Sequence, residues 1–149
     1  LMTNNYSEDA ARLRLVVARI ARHLRAVDSS ALSPTGASLL STVVRSGRIG
    51  LSALSELEGL DAPTLSRAVT RLEDEGLFRR RPDPVDGRAV TVEATAAGKR
   101  LHKRLVAARA DALRTLLAGL DTDSRRALHQ ALPTLEAVAD GLKQRRVRA

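Results

Sequence analysis

Between Asp61 and Glu93 the chain changes its repeat, and that change limits the folds open to it. From Asp61 to Gly76 the apolar residues Leu65, Ala68, Val69 and Leu72 recur at three and four, the spacing of one helical face. At Leu77 the helical pattern stops. Leu77 to Arg81 and Arg88 to Glu93 read as two short extended runs, the second alternating, on either side of Pro82-Asp83-Pro84-Val85-Asp86-Gly87. Two prolines and an Asp-Gly turn cannot continue a helix and favour a hairpin with a looped tip. An amphipathic helix that feeds directly into a basic hairpin predicts a helix with a wing.

The preceding residues extend this pattern. Ser52 can cap a short helix through Glu58, Gly59 tolerates the positive φ of a helix end, and Asp61 caps the next helix with Pro63 in its first turn. A short helix, a turn of about three residues and a second helix is the helix-turn-helix pattern. Upstream, Ser33-Pro34 starts a helix running to about Arg45, with Leu39, Leu40, Val43 and Val44 inward, and Arg48-Ile49-Gly50 can be at most a strand fragment. Three longer helices complete the chain: Ser7 to Val27, one capped by Thr95, and one capped by Asp121 in which Pro133 predicts a kink or break. The apolar residues are mostly Ala, Leu and Val, with one Phe, one Tyr and no Trp, a bias toward interlocking helices over aromatic-rich sheets.

The expected fold is therefore mainly α with a small two- to three-stranded β wing. A chain of 149 residues is the size of one domain. Residues 32–95 form the winged helix-turn-helix, and residues 1–31 and 96–149 supply helices whose apolar stripes the compact centre is too small to cover. Packing those stripes together, and on a second copy, predicts a homodimer.

Net charge is +8 with a sequence pI near 11.2, most of the cations being Arg. Such a balance favours a polyanion, because each neutralised phosphate releases condensed counterions. No apolar run approaches the length of a membrane span, so double-stranded DNA is the expected partner and a membrane is not. On the helix after the turn, Thr64, Ser66, Arg67 and Thr70 are candidates for base edges in the major groove, with Arg67 able to take guanine O6 and N7 bidentately. Arg71, one turn further, suits phosphate. Arg79, Arg80 and Arg81 alternate faces along their strand, so only some of them can face phosphate, and Arg79 and Arg81 are the pair expected to do so. Asp86 and Arg88 can hydrogen-bond, which would orient the guanidinium for a narrow minor groove or merely brace the turn. The arginines of the first helix read as a solvated surface.

Catalytic and metal chemistry find no pattern. His23, His102 and His129 are scattered over three helices without ligand spacing, there is no GxSxG or glycine-rich phosphate loop, and Cys is absent, which fits a reducing cytoplasm. Glu73, Asp74 and Glu75 read as a solvated acidic cluster. No catalytic residue, metal or resident cofactor is expected.

The run LDAPTLSRAVTRLEDEGLFRRRPDPVDGRAVTVEATAAGKRL closely resembles the signature region of MarR-type winged-helix transcriptional regulators. The marks are a helix ending in RLEDEGL, a basic strand, the wing motif DPxDxR at Asp83 to Arg88, and a return strand leading into T-x-x-G at Thr95 to Gly98. The helix order resembles the family along nearly the whole chain. The resemblance implies a homodimeric, sequence-specific repressor whose two recognition helices enter half-sites of a pseudo-palindromic operator. It places Pro63, Thr64, Ser66 and Arg67 on the major groove and Asp86 and Arg88 at the minor groove. It further implies release by a small phenolic or anionic effector, in a pocket lined by the first, second and fifth helices that would include Arg19, His23 and Leu40. Without Cys, the oxidant-sensing mechanism of some members is ruled out. The competing reading is an architectural or protein-docking winged helix that binds nucleic acid without sequence preference.

Overall fold

A computed structural model describes residues 5–27, 32–87 and 89–147. Six helices and three strands follow in the order α1 (Asn5–Ala26), α2 (Pro34–Ser46), β1 (Ile49–Gly50), α3 (Leu51–Glu58), α4 (Ala62–Asp74), β2 (Phe78–Pro82), β3 (Val90–Ala94), α5 (Ala96–Ala118) and α6 (Thr122–Val147). They form two compact units, Leu1–Ala110 and Asp111–Ala149, the division falling within α5.

In the first unit the core is built by the helical stripes anticipated from the spacing. Leu39, Leu40 and Val43 of α2, Leu54 of α3 and Leu65, Val69 and Leu72 of α4 are almost wholly buried, and Phe78, Val92 and Ala94 close the core from the sheet. Each such burial contributes on the order of 1.5–3 kcal/mol, so the α2, α3, α4 and sheet cluster dominates the stability of this unit. Polar contacts join the same elements. The Glu58 carboxylate accepts from Ser38 Oγ at 2.7 Å and from Thr42 Oγ1 at 2.5 Å, fastening α3 to α2.

The sheet is antiparallel in the order β1-β3-β2, with Ile49 opposite Val92 and Phe78 opposite Ala94. The fragment at Ile49–Gly50 is thus a third strand, and the strands of the hairpin start one or two residues later than their sequence pattern placed them. A second correction concerns α3. Its N-cap is Gly50, with no side-chain cap, and Ser52 already lies in the first turn. The physical reason is that β1 runs straight into the helix, leaving no loop residue for a hydroxyl to serve.

Helix α1 presents most of its apolar stripe outward. Leu13 and Leu24 are half-buried, while Val16, Val17 and Ile20 are exposed.

In the second unit α6 is capped by Asp121, whose carboxylate accepts from Ser124 N at 2.8 Å and from Ser124 Oγ at 2.7 Å. The helix runs through Pro133 without the break that the ring predicts. Pro133 lies on an exposed face, where water can take the His129 carbonyl that it leaves without an N–H partner. Leu113, Leu116 and Leu117 of α5, Leu120, and Leu132, Leu135, Val138 and Leu142 of α6 are all exposed. No helix among the described residues is long and apolar enough to cross a membrane.

Candidate nucleic-acid interface

The turn between α3 and α4 is Gly59, Leu60 and Asp61. Gly59 takes the left-handed conformation, φ 65° and ψ 35°, that ends α3, and Ser55 Oγ donates to the Leu60 carbonyl at 2.5 Å. The chain then turns at Asp61, whose Oδ1 accepts from the Thr64 N–H at 2.7 Å and satisfies a donor that a helix start leaves unpaired. That N–H holds the Asp61 carboxyl below the ordinary aspartate range, with the Thr64 hydroxyl and the charge of Arg67 adding to the effect.

Helix α4 consequently begins with its N-terminal turns open to solvent. Pro63, Ser66, Arg67 and Thr70 are exposed and Thr64 is half-exposed, while Leu65, Val69 and Leu72 face the core. Arg67 Nη2 donates to Thr64 Oγ1 at 3.3 Å, which brings two of the expected base-reading residues together in one unit.

The expected phosphate contacts are less free than their spacing implied. Arg71 Nε pairs with Glu75 Oε1 at 3.1 Å, and Arg81 Nε with Glu93 Oε1 at 3.4 Å. Both guanidiniums stay well exposed and keep donors available, since each uses one of five N–H groups in these bonds. Arg79 is exposed on the outer face of β2 beside Arg81. Glu93 also accepts from Arg48 Nη2 at 3.5 Å, and its two arginines, Arg81 first, hold its carboxyl below the usual carboxylate range.

Arg80, which sequence reasoning assigned no role of its own, turns the other way. Its Nη1 donates to Glu73 Oε2 at 2.5 Å, and Nη2 donates to Thr70 Oγ1 at 2.9 Å and to the Ser66 carbonyl at 3.4 Å. The acidic cluster is therefore not simply solvated: Glu73 and Glu75 each hold an arginine. The available signal was the strand alternation that places Arg80 on the same face as buried Phe78.

At the wing tip the Asp83 carboxylate accepts from the N–H groups of Val85 at 2.8 Å and Asp86 at 3.1 Å, which hold it below the ordinary aspartate range. The Ala89 N–H donates to the Asp86 carbonyl at 2.9 Å and Asp83 N–H to the Ala89 carbonyl at 2.9 Å, closing the loop. Arg88 lies outside the described residues. Of the residues expected to line an effector pocket, Arg19 and His23 lie on the exposed surface of α1 and Leu40 is fully buried in the core cluster.

A family model described as the MarR family matches residues 32–90, the segment containing α2 to the start of β3. An HTH-type transcriptional regulator of Mycobacterium tuberculosis is 34% identical over 132 residues, 88% of this chain and 92% of its own length. The chain belongs to the MarR family. MarR-family proteins are DNA-binding transcriptional regulators rather than enzymes. The solved structure of a MarR family protein from Bacillus stearothermophilus shares the fold, with a TM-score of 0.79 at 19% identity over 94% of this chain and 99% of that one. The fold is shared as well with FabT of Streptococcus pneumoniae, solved in complex with DNA, at a TM-score of 0.69 and 15% identity over 92% of this chain and 99% of that one.

Proposed function

We propose that this MarR-family chain is a sequence-specific repressor that binds a pseudo-palindromic operator as a homodimer and lets go of it when a small effector binds. The observation that carries the reading is the solvent-facing start of α4: a capped helix N-terminus with Thr64, Ser66 and Arg67 outward, next to a strand carrying Arg79 and Arg81. An N-terminus so placed turns a positive dipole end toward phosphate, and its first turns suit base edges in the major groove. Pro63, with no N–H to satisfy, fits close approach to the backbone. Asp86 and Arg88 complete the interface at the minor groove, a role that rests on the family's wing motif.

The dimer is supported by the exposed apolar residues on α1, α5 and α6, which a second copy would cover. The effector, a small phenolic or anionic molecule, is supported by family membership, and it would act by favouring a dimer whose recognition helices are misplaced. A differential affinity of a few kcal/mol between the two states lowers operator occupancy many-fold. Such a regulator works in the cytoplasm, where the DNA is.

Footprinting on the intergenic DNA upstream of its own coding sequence tests the reading. The expected result is a protected inverted repeat that survives excess non-specific DNA. A complex lost to that competitor, with no bounded footprint, would instead identify an architectural protein.

A further inference from the structure

Three successive arginines occupy β2, and the middle one is used differently from its neighbours. Alternation along the strand puts Arg79 and Arg81 on its outer face and Phe78 and Arg80 on its inner one. Phe78 fills the core, so Arg80 is delivered against α4. There it meets Ser66, Thr70 and Glu73, which stand at i, i+4 and i+7 and so form one stripe along the helix. The guanidinium spans the stripe, with Nη1 on Glu73 Oε2 at 2.5 Å and Nη2 on Thr70 Oγ1 at 2.9 Å and the Ser66 carbonyl at 3.4 Å. Its backbone N–H donates to the other oxygen of Glu73 at 3.1 Å. One strand residue thus occupies both Glu73 oxygens and touches the helix at three heights.

We propose that Arg80 is a positioning residue for DNA reading and not a DNA ligand. Its forked grip fixes the rotation of α4 relative to the strand, so that Thr64 and Arg67 reach the major groove at a set distance from the wing. The planar fork reaches Glu73 and Thr70 through two nitrogens held at a fixed spacing; an ammonium supplies the charge from a single point without that geometry. The inference rests on the sequence-specific reading, because fixed geometry matters only where bases are read.

Simple electrostatics predicts the opposite outcome for the deciding variant. Glu73 is an anion beside a DNA-facing helix, and removing its charge while releasing Arg80 should strengthen binding to any duplex if charge alone mattered. The test starts with the full wild-type chain selecting a sequence from a randomised duplex pool. Affinities for the selected duplex and for a scrambled duplex of equal composition are then measured over a range of salt for wild type, Glu73→Gln, Arg80→Ala and Arg80→Lys. Glu73→Gln and Arg80→Ala should each lower the ratio of selected to scrambled affinity about tenfold. Arg80→Lys should restore thermal stability and scrambled-duplex affinity while leaving the ratio low. Equal strengthening on both duplexes by Glu73→Gln would overturn the proposal. So would equal weakening by Arg80→Ala with a salt slope shallower by about one ion, the mark of a phosphate ligand. A pool without enrichment defeats the sequence-specific reading itself; amide exchange then judges the clamp, which stands if Glu73→Gln speeds exchange in α4 and β2 and falls if it does not.

Discussion

Arg67 sits at the point where the structure and the chemistry of base reading meet. It is exposed one turn into α4, tethered to Thr64 Oγ1 at 3.3 Å, and has the planar fork that matches guanine O6 and N7. Arg67→Ala should cost about 1–3 kcal/mol on the selected duplex and relax base preference at one position per half-site, as seen by binding to singly substituted duplexes. Uniform weakening on all sequences would show that Arg67 meets phosphate. Asp61 supports a prediction of a different kind. Its folded-state carboxyl titrates below its ordinary range because it accepts the Thr64 N–H, so its stabilising contribution is present at neutral pH and fades as pH falls through that lowered value. Asp61→Asn keeps an N-cap oxygen but no charge. Melting temperature followed from neutral to acid pH should therefore fall less steeply in Asp61→Asn than in wild type. The Asp61 cap and the outward place of Arg67 were legible in the sequence because caps and exposed polar stripes are local. That of Arg80 was not, since alternation shows that neighbouring side chains part company without showing which face of the strand a helix will cover.

At the level of elements, the junction between α4, β2 and α5 explains the T-x-x-G pattern. Thr95 Oγ1 donates to the Gly76 carbonyl at 2.6 Å and Thr95 N–H to the Leu77 carbonyl at 2.9 Å, while the Gly98 N–H donates to Thr95 Oγ1 at 3.1 Å. A Cβ at buried Gly98 would run into the Leu77 carbonyl oxygen, so the start of α5 lies directly against the turn that leads from α4 to the wing. Gly98→Ala should accordingly lower stability by about 1–3 kcal/mol in denaturant unfolding, the cost of overpacking outweighing alanine's better helix propensity. Unchanged stability would mean that the turn yields freely. The five longer helices were visible in advance because each keeps its apolar stripe over several turns, and α3 because Gly59 and the Asp61 cap mark off the short segment before them. The cap of α3 and the continuity through Pro133 were not. The first depends on β1 pairing with β3, which places Ile49 opposite Val92 far along the chain, a register only the fold supplies, and the second on Pro133 facing outward.

For the whole molecule, the proposed dimer rests on the apolar residues left outward on the terminal helices. Val16, Val17 and Ile20 on α1, in the first unit, and Leu116 and Leu142, in the second, are exposed and are the kind of residue that a second copy would cover. Sedimentation at micromolar concentration should show a dimer, and Val17→Glu should shift it toward monomer while the first unit keeps its helix content by circular dichroism. A wild-type monomer would overturn this arrangement. The net charge of +8 per chain adds a condition on any binding measurement: affinity should fall steeply with salt, with a slope of roughly −0.9 for each phosphate neutralised.

The strand order β1-β3-β2 has a mechanical consequence. Because β3 lies in the middle, it is held on one side by β2, its partner in the wing, which α4 grips through Arg80, and on the other by Ile49–Gly50, the two residues immediately before α3. Glu93 repeats this at the side-chain level by bridging Arg48 and Arg81 across the sheet. The base of the wing and the entrance to the helix-turn-helix are therefore tied to each other by strand pairing. A push arriving along α2 would swing α4 and the wing together, as a handle turns both jaws of a wrench, so the proposed release from DNA would need no change within α4 or the wing themselves.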